Sequence, residues 1–295
     1  MNQKSYAESV ISAIVPIRPR VSDVLNVGNW FSKPRAEGIA FILVLDRPTL
    51  EIENLIQSFM SEYPEIDIAV VKGNFGGPGA ARNAALPLVK SRYLIFWDSD
   101  DNPRIDSVLD HLRDEKLSEG ILSIGGFCLK EELKSDRIFI PSSLLEVACN
   151  PGLWRVVISS DLAKGIKFEN LKLAEDQIFF LEVYLRSNKV ELVPDVFYEY
   201  KYGFKEQLTS AKNYVDLCSA IARIYTLILR NRNSEKVKFA VDIFLKQVIS
   251  LFLNGNWSTK RFAINSYIKL FIKAPKMVTQ ETSAVIAEMN RKRFK

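Results

Sequence analysis

Three acids fall within four residues at Asp98-Ser99-Asp100-Asp101, directly after the apolar run Tyr93-Leu94-Ile95-Phe96-Trp97. A run of that length and make-up suits a strand buried on both faces. Its end is where open α/β sheets bind ligands. Two carboxylates one residue apart can serve two groups of one ligand, one a hard divalent cation such as Mn2+ or Mg2+, the other a ribose hydroxyl. By itself the string equally fits a polar turn, because Asp and Ser bond their own backbone. A second segment tips the balance. Gly73-Asn74-Phe75-Gly76-Gly77-Pro78-Gly79-Ala80-Ala81-Arg82-Asn83 precedes the acids by one helix and one strand. Its glycines allow close backbone approach to a ligand, and Arg82 falls in the first turns of a helix, where an anionic group would sit.

These residues need strands to carry them. Apolar runs at 10–17, 39–45, 66–71 and 93–97 read as four buried strands. Between the second and third, Thr49 caps a helix with Glu51 and Glu53 in its first turn. Between the third and fourth, 78–89 is a small-residue helix that Pro87 ends or kinks. This alternation predicts an α/β fold with a mainly parallel, Rossmann-like central sheet and helices on both faces. Asn102 reads as a cap and Pro103 as the first position of a helix running to about Lys116. Further strands are expected at 121–129 and 189–200, and a helix at 176–187. From about Asn213 the pattern is a C-terminal helical region, with Ser234 capping one of its helices. The expected division is 1–104, 105–205 and 206–295.

Bulk properties narrow the chemistry. The chain has 295 residues, 47% of them apolar, enough for a sizeable core. A single histidine, His111, excludes a multi-histidine metal site and disfavours a Ser-His-Asp arrangement; His111 itself is expected on an exposed helix face. Three scattered cysteines without C-x-x-C suit a reducing compartment. The net charge of +5 fits a phosphate ester or an anionic membrane surface, and no basic-aromatic stripe or zinc-finger spacing points to nucleic acid. The N-terminus is polar through Ser9, without signal-peptide shape. Asp242 and Lys246 interrupt the apolar C-terminal stretches, so a cytoplasmic protein is expected.

Gly77-x-Gly79 followed by Asp98 also mimics a dinucleotide-binding fingerprint, which would make an NAD(P)-dependent oxidoreductase. Against it, the loop after Val71 is long for the tight turn, and Arg82 stands where the third glycine belongs.

In order and spacing the chain resembles the family 2 glycosyltransferases of the GT-A fold, over most of its first two hundred residues. Ile11-Ser12-Ala13-Ile14-Val15-Pro16 is similar to the family's first strand and Ile42-Leu43-Val44-Leu45-Asp46 to its second. Gly79-Ala80-Ala81-Arg82-Asn83-Ala84 is similar to its A-R-N helix. Tyr93 through Asp101 resembles its D-x-D strand, and Phe168 with Ala174-Glu175-Asp176-Gln177-Ile178-Phe179-Phe180 its acidic pair. The resemblance implies donor contacts at Pro16, Asp46, Gly79, Arg82, Asp98 and Asp100. Asp46 would meet the base, Asp98 the ribose and Asp100 the metal. Asp176 would be the catalytic base beside Glu175, although acids there also offset a helix dipole. Trp154, in Asn150-Pro151-Gly152-Leu153-Trp154, is either an acceptor-stacking ring or a core tryptophan.

The implied enzyme inverts the anomeric carbon. It moves a sugar from a nucleoside-diphosphate sugar, a UDP-sugar by default, to a glycan or lipid-linked acceptor in bacterial capsule, exopolysaccharide or lipopolysaccharide synthesis. A catalytically inactive sugar-nucleotide binder is the other alternative. Two departures lie near the nucleoside pocket. Ile17-Arg18 replaces the usual Tyr-Asn type of pair, and Arg47-Pro48-Thr49 replaces Asp-Gly-Ser.

The segment 257–280 has five basic residues and no acid. Arg261, Asn265, Lys269 and Lys273 recur every four positions on an apolar helix. Such a helix either makes a peripheral contact with an anionic membrane or packs on the core with a solvated basic edge. The chain ends with the basic run Arg291-Lys292-Arg293-Phe294-Lys295.

Overall fold

The computed structural model describes residues 9–113, 119–132, 134–203 and 214–293. The polar N-terminus through Glu8, the predicted helix end near Lys116, the start near Asn213 and the last two residues lie outside them. The first part of the chain alternates strands and helices: β1 (Ile11–Ile17), α1 (Val21–Phe31), β2 (Ile39–Asp46), α2 (Leu50–Glu62), β3 (Asp67–Gly73), α3 (Pro78–Ala85) and β4 (Tyr93–Phe96). Then come β5 (Asn102–Pro103), α4 (Ile105–Leu112), β6 (Ile121–Glu131), β7 (Arg137–Phe139), α5 (Leu144–Cys149), β8 (Val156–Ser159), α6 (Ser160–Ala163), α7 (Glu175–Arg186) and β9 (Lys189–Tyr202). Four helices follow: α8 (Tyr214–Arg230), α9 (Val237–Asn254), α10 (Trp257–Lys273) and α11 (Pro275–Arg293).

The chain forms two compact units. A sheet unit takes the described residues of Met1–Ile140, Leu153–Lys167 and Ser187–Lys205. A helical unit takes those of Pro141–Gly152, Phe168–Arg186 and Glu206–Lys295. All nine described strands lie in the first and form one sheet of order β3-β2-β1-β4-β8-β6-β9-β5, with β7 beside β6. From β3 to β4 every pairing is parallel. Beyond β4 the sheet is mixed: β8 is antiparallel to β4 and β6, while β6 and β9 run parallel.

β1 is buried at every position except half-buried Pro16, as a strand covered on both faces must be. β3 is half-buried and more polar, because it lies at the sheet edge. Trp30 of α1 meets Trp97 edge-on at 6.0 Å, and Phe31 meets Phe41 at 5.1 Å, so the helix and sheet share one aromatic core.

Two predicted caps move. Asn102 and Pro103 do not start a helix; they form β5, antiparallel to β9 with Pro103 opposite Tyr198. Proline has no N–H to offer a second neighbour, and β5 is an edge strand with only one. The helix starts two residues later, at Ile105. Ser234 does not cap α9, which begins at Val237; its hydroxyl accepts from Lys236 N at 3.3 Å within the preceding turn. His111 is half-buried against Phe197 at 5.5 Å rather than on an exposed face.

Candidate active site

Connections from β1 lead outward to β2 and β3, whereas β4 lies on the other side of β1. At such a reversal of strand order a parallel sheet opens a crevice beyond its carboxyl ends. Arg18 follows β1 and Asp98 follows β4, one on each side of that crevice.

The aspartate loop is held mainly through buried groups. Asp101 is 2% exposed. Its two oxygens accept from Tyr198 Oη at 3.0 Å and from Lys201 N at 2.8 Å. The Tyr198 hydroxyl in turn accepts from Asp98 N at 3.1 Å. Asn26 Nδ2 donates to the carbonyls of Ser99 (2.9 Å) and Asp101 (2.7 Å), and Lys201 Nζ donates to Asn26 Oδ1 at 3.0 Å. Asp101 therefore anchors the loop. Asp98 and Asp100 each keep 35% of the side chain exposed and are the two acids that can meet a ligand.

Each of those acids already faces an arginine. Arg82 Nη2 donates to Asp98 Oδ1 at 2.8 Å, so the cation expected beside an incoming anion is seated on the loop's first carboxylate. Arg18 Nη2 donates to Asp100 Oδ2 at 2.6 Å and Arg18 Nε to Asp23 Oδ2 at 2.8 Å, which also accepts from Ser99 Oγ at 3.1 Å.

Burial raises the Asp100 pKa above the ordinary carboxylate range and Asp98 adds repulsion, while Arg18 opposes both. Asp101 is raised well above that range, by burial first and then by Asp98 and Asp100. Burial, with Asp101 next, also holds the Tyr198 phenol well above its usual pKa, so it stays a donor. Burial works against the charge on Arg18, but its bonds and attraction to Asp23 and Asp100 outweigh that.

At the end of β2, Asp46 Oδ1 accepts from Phe75 N at 2.8 Å, tying the strand to the Gly-rich loop. Arg47 has φ +49° and donates its N–H to Gly73 O at 2.6 Å. Glycine is the residue at home in that left-handed region. Arg47 therefore holds a left-handed turn at the end of β2 without a glycine's freedom. Pro16 pairs with Val44 inside β1, and Gly79 is buried at the second position of α3. Trp154 is half-buried, stacked on Tyr198 at 4.6 Å and Tyr200 at 5.6 Å, with Phe127 edge-on. That stack extends the support under the loop.

Glu175 and Asp176 belong to the helical unit and open α7. Glu175 is buried; Asp176 is half-buried, and its Oδ1 accepts from Gln177 N at 2.9 Å. Ala174, just before them, sits at φ +67°, a conformation non-glycine residues hold only when their surroundings impose it, and often at functional sites. Phe168 stacks on Phe179 at 4.1 Å, fixing the approach to α7.

Sequence reasoning passed over Asp23, Asn26, Tyr198 and Lys201, and gave Arg18 no partner. Arg18 had a signal, as the first charge after a buried strand at the crevice. Tyr198 had none, because its bond to Asp101 spans 97 residues.

A parallel half-sheet opening on a tethered D-x-D loop is the donor-binding architecture of the GT-A class. Residues 16–117 match the family model described as glycosyl transferase family 2. Over that segment the chain is similar to the family 2 glycosyltransferases, and its fold is of the GT-A type. It is 25% identical over 209 residues to a poly(ribitol-phosphate) beta-glucosyltransferase of Bacillus spizizenii, covering 66% of this chain and 32% of that protein. It is 24% identical over 265 residues to the Staphylococcus aureus poly(ribitol-phosphate) beta-N-acetylglucosaminyltransferase TarS, covering 85% of this chain and 44% of that protein. The chain thus spans less than half the length of either relative. The crystal structure of S. aureus TarS 1-349 in complex with UDP-GlcNAc matches with a TM-score of 0.72 at 18% identity, over 95% of this chain and 88% of that one.

Proposed function

We propose that this protein is an inverting glycosyltransferase that moves a sugar from a UDP-sugar to a hydroxyl of a polyol-phosphate or related cell-surface glycan. The observation that carries it is the tethered loop at the switch-point crevice, in a segment matching a glycosyltransferase family. The names of the two relatives support sugar transfer to a poly(ribitol phosphate) type of acceptor, lipid-linked in this reading, and the UDP-GlcNAc complex of TarS 1-349 supports a UDP-sugar donor. The dinucleotide alternative has no comparable support.

Residues 1–104 would bind the donor, 105–205 the acceptor, and 206–295 form the helical region. Asp46 would contact the base and Asp98 the ribose, with Pro16, Gly79 and Arg82 shaping the pocket. Among the described residues no three His, Cys, Asp or Glu side chains converge as a full metal cage would need. One carboxylate with donor phosphates completing the shell is a usual Mg2+ or Mn2+ arrangement, and partly exposed Asp100 suits it. A cation there supplies charge neutralisation to the leaving diphosphate.

The acceptor oxygen attacks the anomeric carbon as the bond from that carbon to the diphosphate oxygen breaks. The hydroxyl proton passes to Asp176, and the nucleoside diphosphate leaves with the bonding pair. Glu175 would steady the base, and Trp154 would line the acceptor side. The work would take place in the cytoplasm at the inner face of the cell membrane.

Asp176→Asn is expected to lower transfer at least a hundredfold and leave UDP-sugar affinity within about twofold. Full activity in that variant rules out Asp176 as the base.

A further inference from the structure

In α10, Thr259, Ala263 and Leu270 are buried and pack toward α8, α9 and α11. A helix that used only this face would carry polar residues on the other. Here the outward face holds Trp257, Ile264, Ile268 and Ile272, spaced seven, four and four residues apart, with Phe271 beside them. Trp257 is 85% exposed and Ile272 70%. Among the described residues, the segment 252–286 holds eight of the seventeen exposed large apolar side chains, so the apolar surface is concentrated here. Phe252, Leu253, Ile264 and Ile286 belong both to this surface and to an apolar groove of about 450 Å³ between α9, α10 and α11.

The charge around the patch has one sign. Lys260, Arg261, Lys269, Lys273 and Lys276 border it, and no acid occurs from Ile243 to Gln280. Among the described residues none of these five makes an ion pair; Lys260 lies over the Phe252 ring at 6.0 Å. The placement of Trp257 is fixed by the turn before it. Gly255 N donates to Leu251 O at 2.8 Å, and Asn256 Oδ1 caps the helix on Thr259 N at 3.0 Å. A Cβ on Gly255 would come within 2.5 Å of Leu251 O, so the turn has no room to relax.

We propose that α10, with the groove beside it, docks this protein on an anionic lipid bilayer. The outward isoleucines and Trp257 enter the headgroup boundary, the groove takes up acyl chain, and the basic residues lie against anionic headgroups. A second protein chain would bury the apolar face equally well, but it would not call for an acid-free border of five unpaired cations. Among the described residues no helix is long and apolar enough to cross a membrane. This names the surface behind the membrane contact in the proposed function, and it does not depend on the transfer step.

The test uses the full chain and vesicle flotation with phosphatidylglycerol-phosphatidylcholine or pure phosphatidylcholine vesicles. Binding is expected on the anionic vesicles at low salt, weakening with salt and absent on phosphatidylcholine. Lys269→Gln with Lys273→Gln should weaken it roughly 25-fold, at about fivefold per charge. Ile268→Ser with Ile272→Ser should abolish it while the melting temperature holds. Trp257 should be quenched by brominated lipid, a signal lost in Trp257→Phe. No binding to anionic vesicles, equal binding to neutral ones, or variants that bind like the parent each overturn the proposal. A dimer by light scattering that Ile268→Ser with Ile272→Ser dissolves, without vesicle binding, overturns it in favour of a second copy. Thermal shift by UDP-sugar is read in the same samples. Vesicle binding without that shift would sink the transferase reading and leave the docking surface standing.

Discussion

Tyr198 places one hydroxyl between two parts of the aspartate loop, accepting from Asp98 N and donating to Asp101. Tyr198→Phe strands both partners, one of them a buried carboxylate. The expected loss is about 1–3 kcal/mol of stability, with weaker UDP binding because the loop loses its lower tether. Calorimetry of UDP binding beside a thermal melt checks both; unchanged UDP affinity would show that the loop holds itself. At this scale the sequence was legible where an acid stands at the end of a strand. Asp98, Asp100 and Asp46 announce themselves by following buried strands. Asp101 looks the same on paper, yet it is the anchor. What separates them is burial, decided by a strand that arrives a hundred residues later.

Among the elements, α9 and α11 share a buried charge cluster. Lys238 Nζ lies 3.3 Å from Asp242 and also pairs with Glu281. The Asp242 pKa is raised to about 7: burial is the largest cause, Lys238 opposes it, and Glu281 adds to it. A carboxyl raised in the folded state is protonated there at pH values where the unfolded chain has released its proton. The stability it contributes is full below about pH 4 and is lost as pH rises through 7. The melting temperature of the helical unit should therefore fall between pH 5 and pH 8, and Asp242→Asn should flatten that slope. A parent slope identical to that of the variant refutes the linkage.

The first four strands were readable because each is a solid apolar run. β5, β7 and β8 were not. They have two, three and four residues, too few for any period to show, and they exist because β6 and β9 offer edges to pair with. The displaced cap at Asn102-Pro103 has the same origin: it has the local chemistry of a helix start, and tertiary pairing overrides it.

For the molecule as a whole, the donor is the discriminating variable. UDP present at a hundred times its dissociation constant should stabilise the protein by about 2.7 kcal/mol. That corresponds to a rise in melting temperature of roughly 5–10 °C. NAD without metal should leave it unchanged. The reverse pattern would return the oxidoreductase to first place. Fold class was legible because the alternation of strands and helices is a long-range property repeated several times over. The division of the chain into a sheet unit and a helical unit was not, since 141–152 and 168–186 leave the sheet's sequence neighbourhood to join helices far downstream. Nothing in their composition separates them from the segments around them.

The Arg18–Asp100 pair has a consequence for how the crevice fills. To take a cation through Oδ2, Asp100 would have to give up the Arg18 guanidinium, so loading would exchange counter-ions rather than add one. Once released from Asp100, Arg18 would be a positive charge at the mouth of the same crevice, suited to phosphate oxygens. Cation and sugar nucleotide would thereby be coupled through one side chain, each making room for the other.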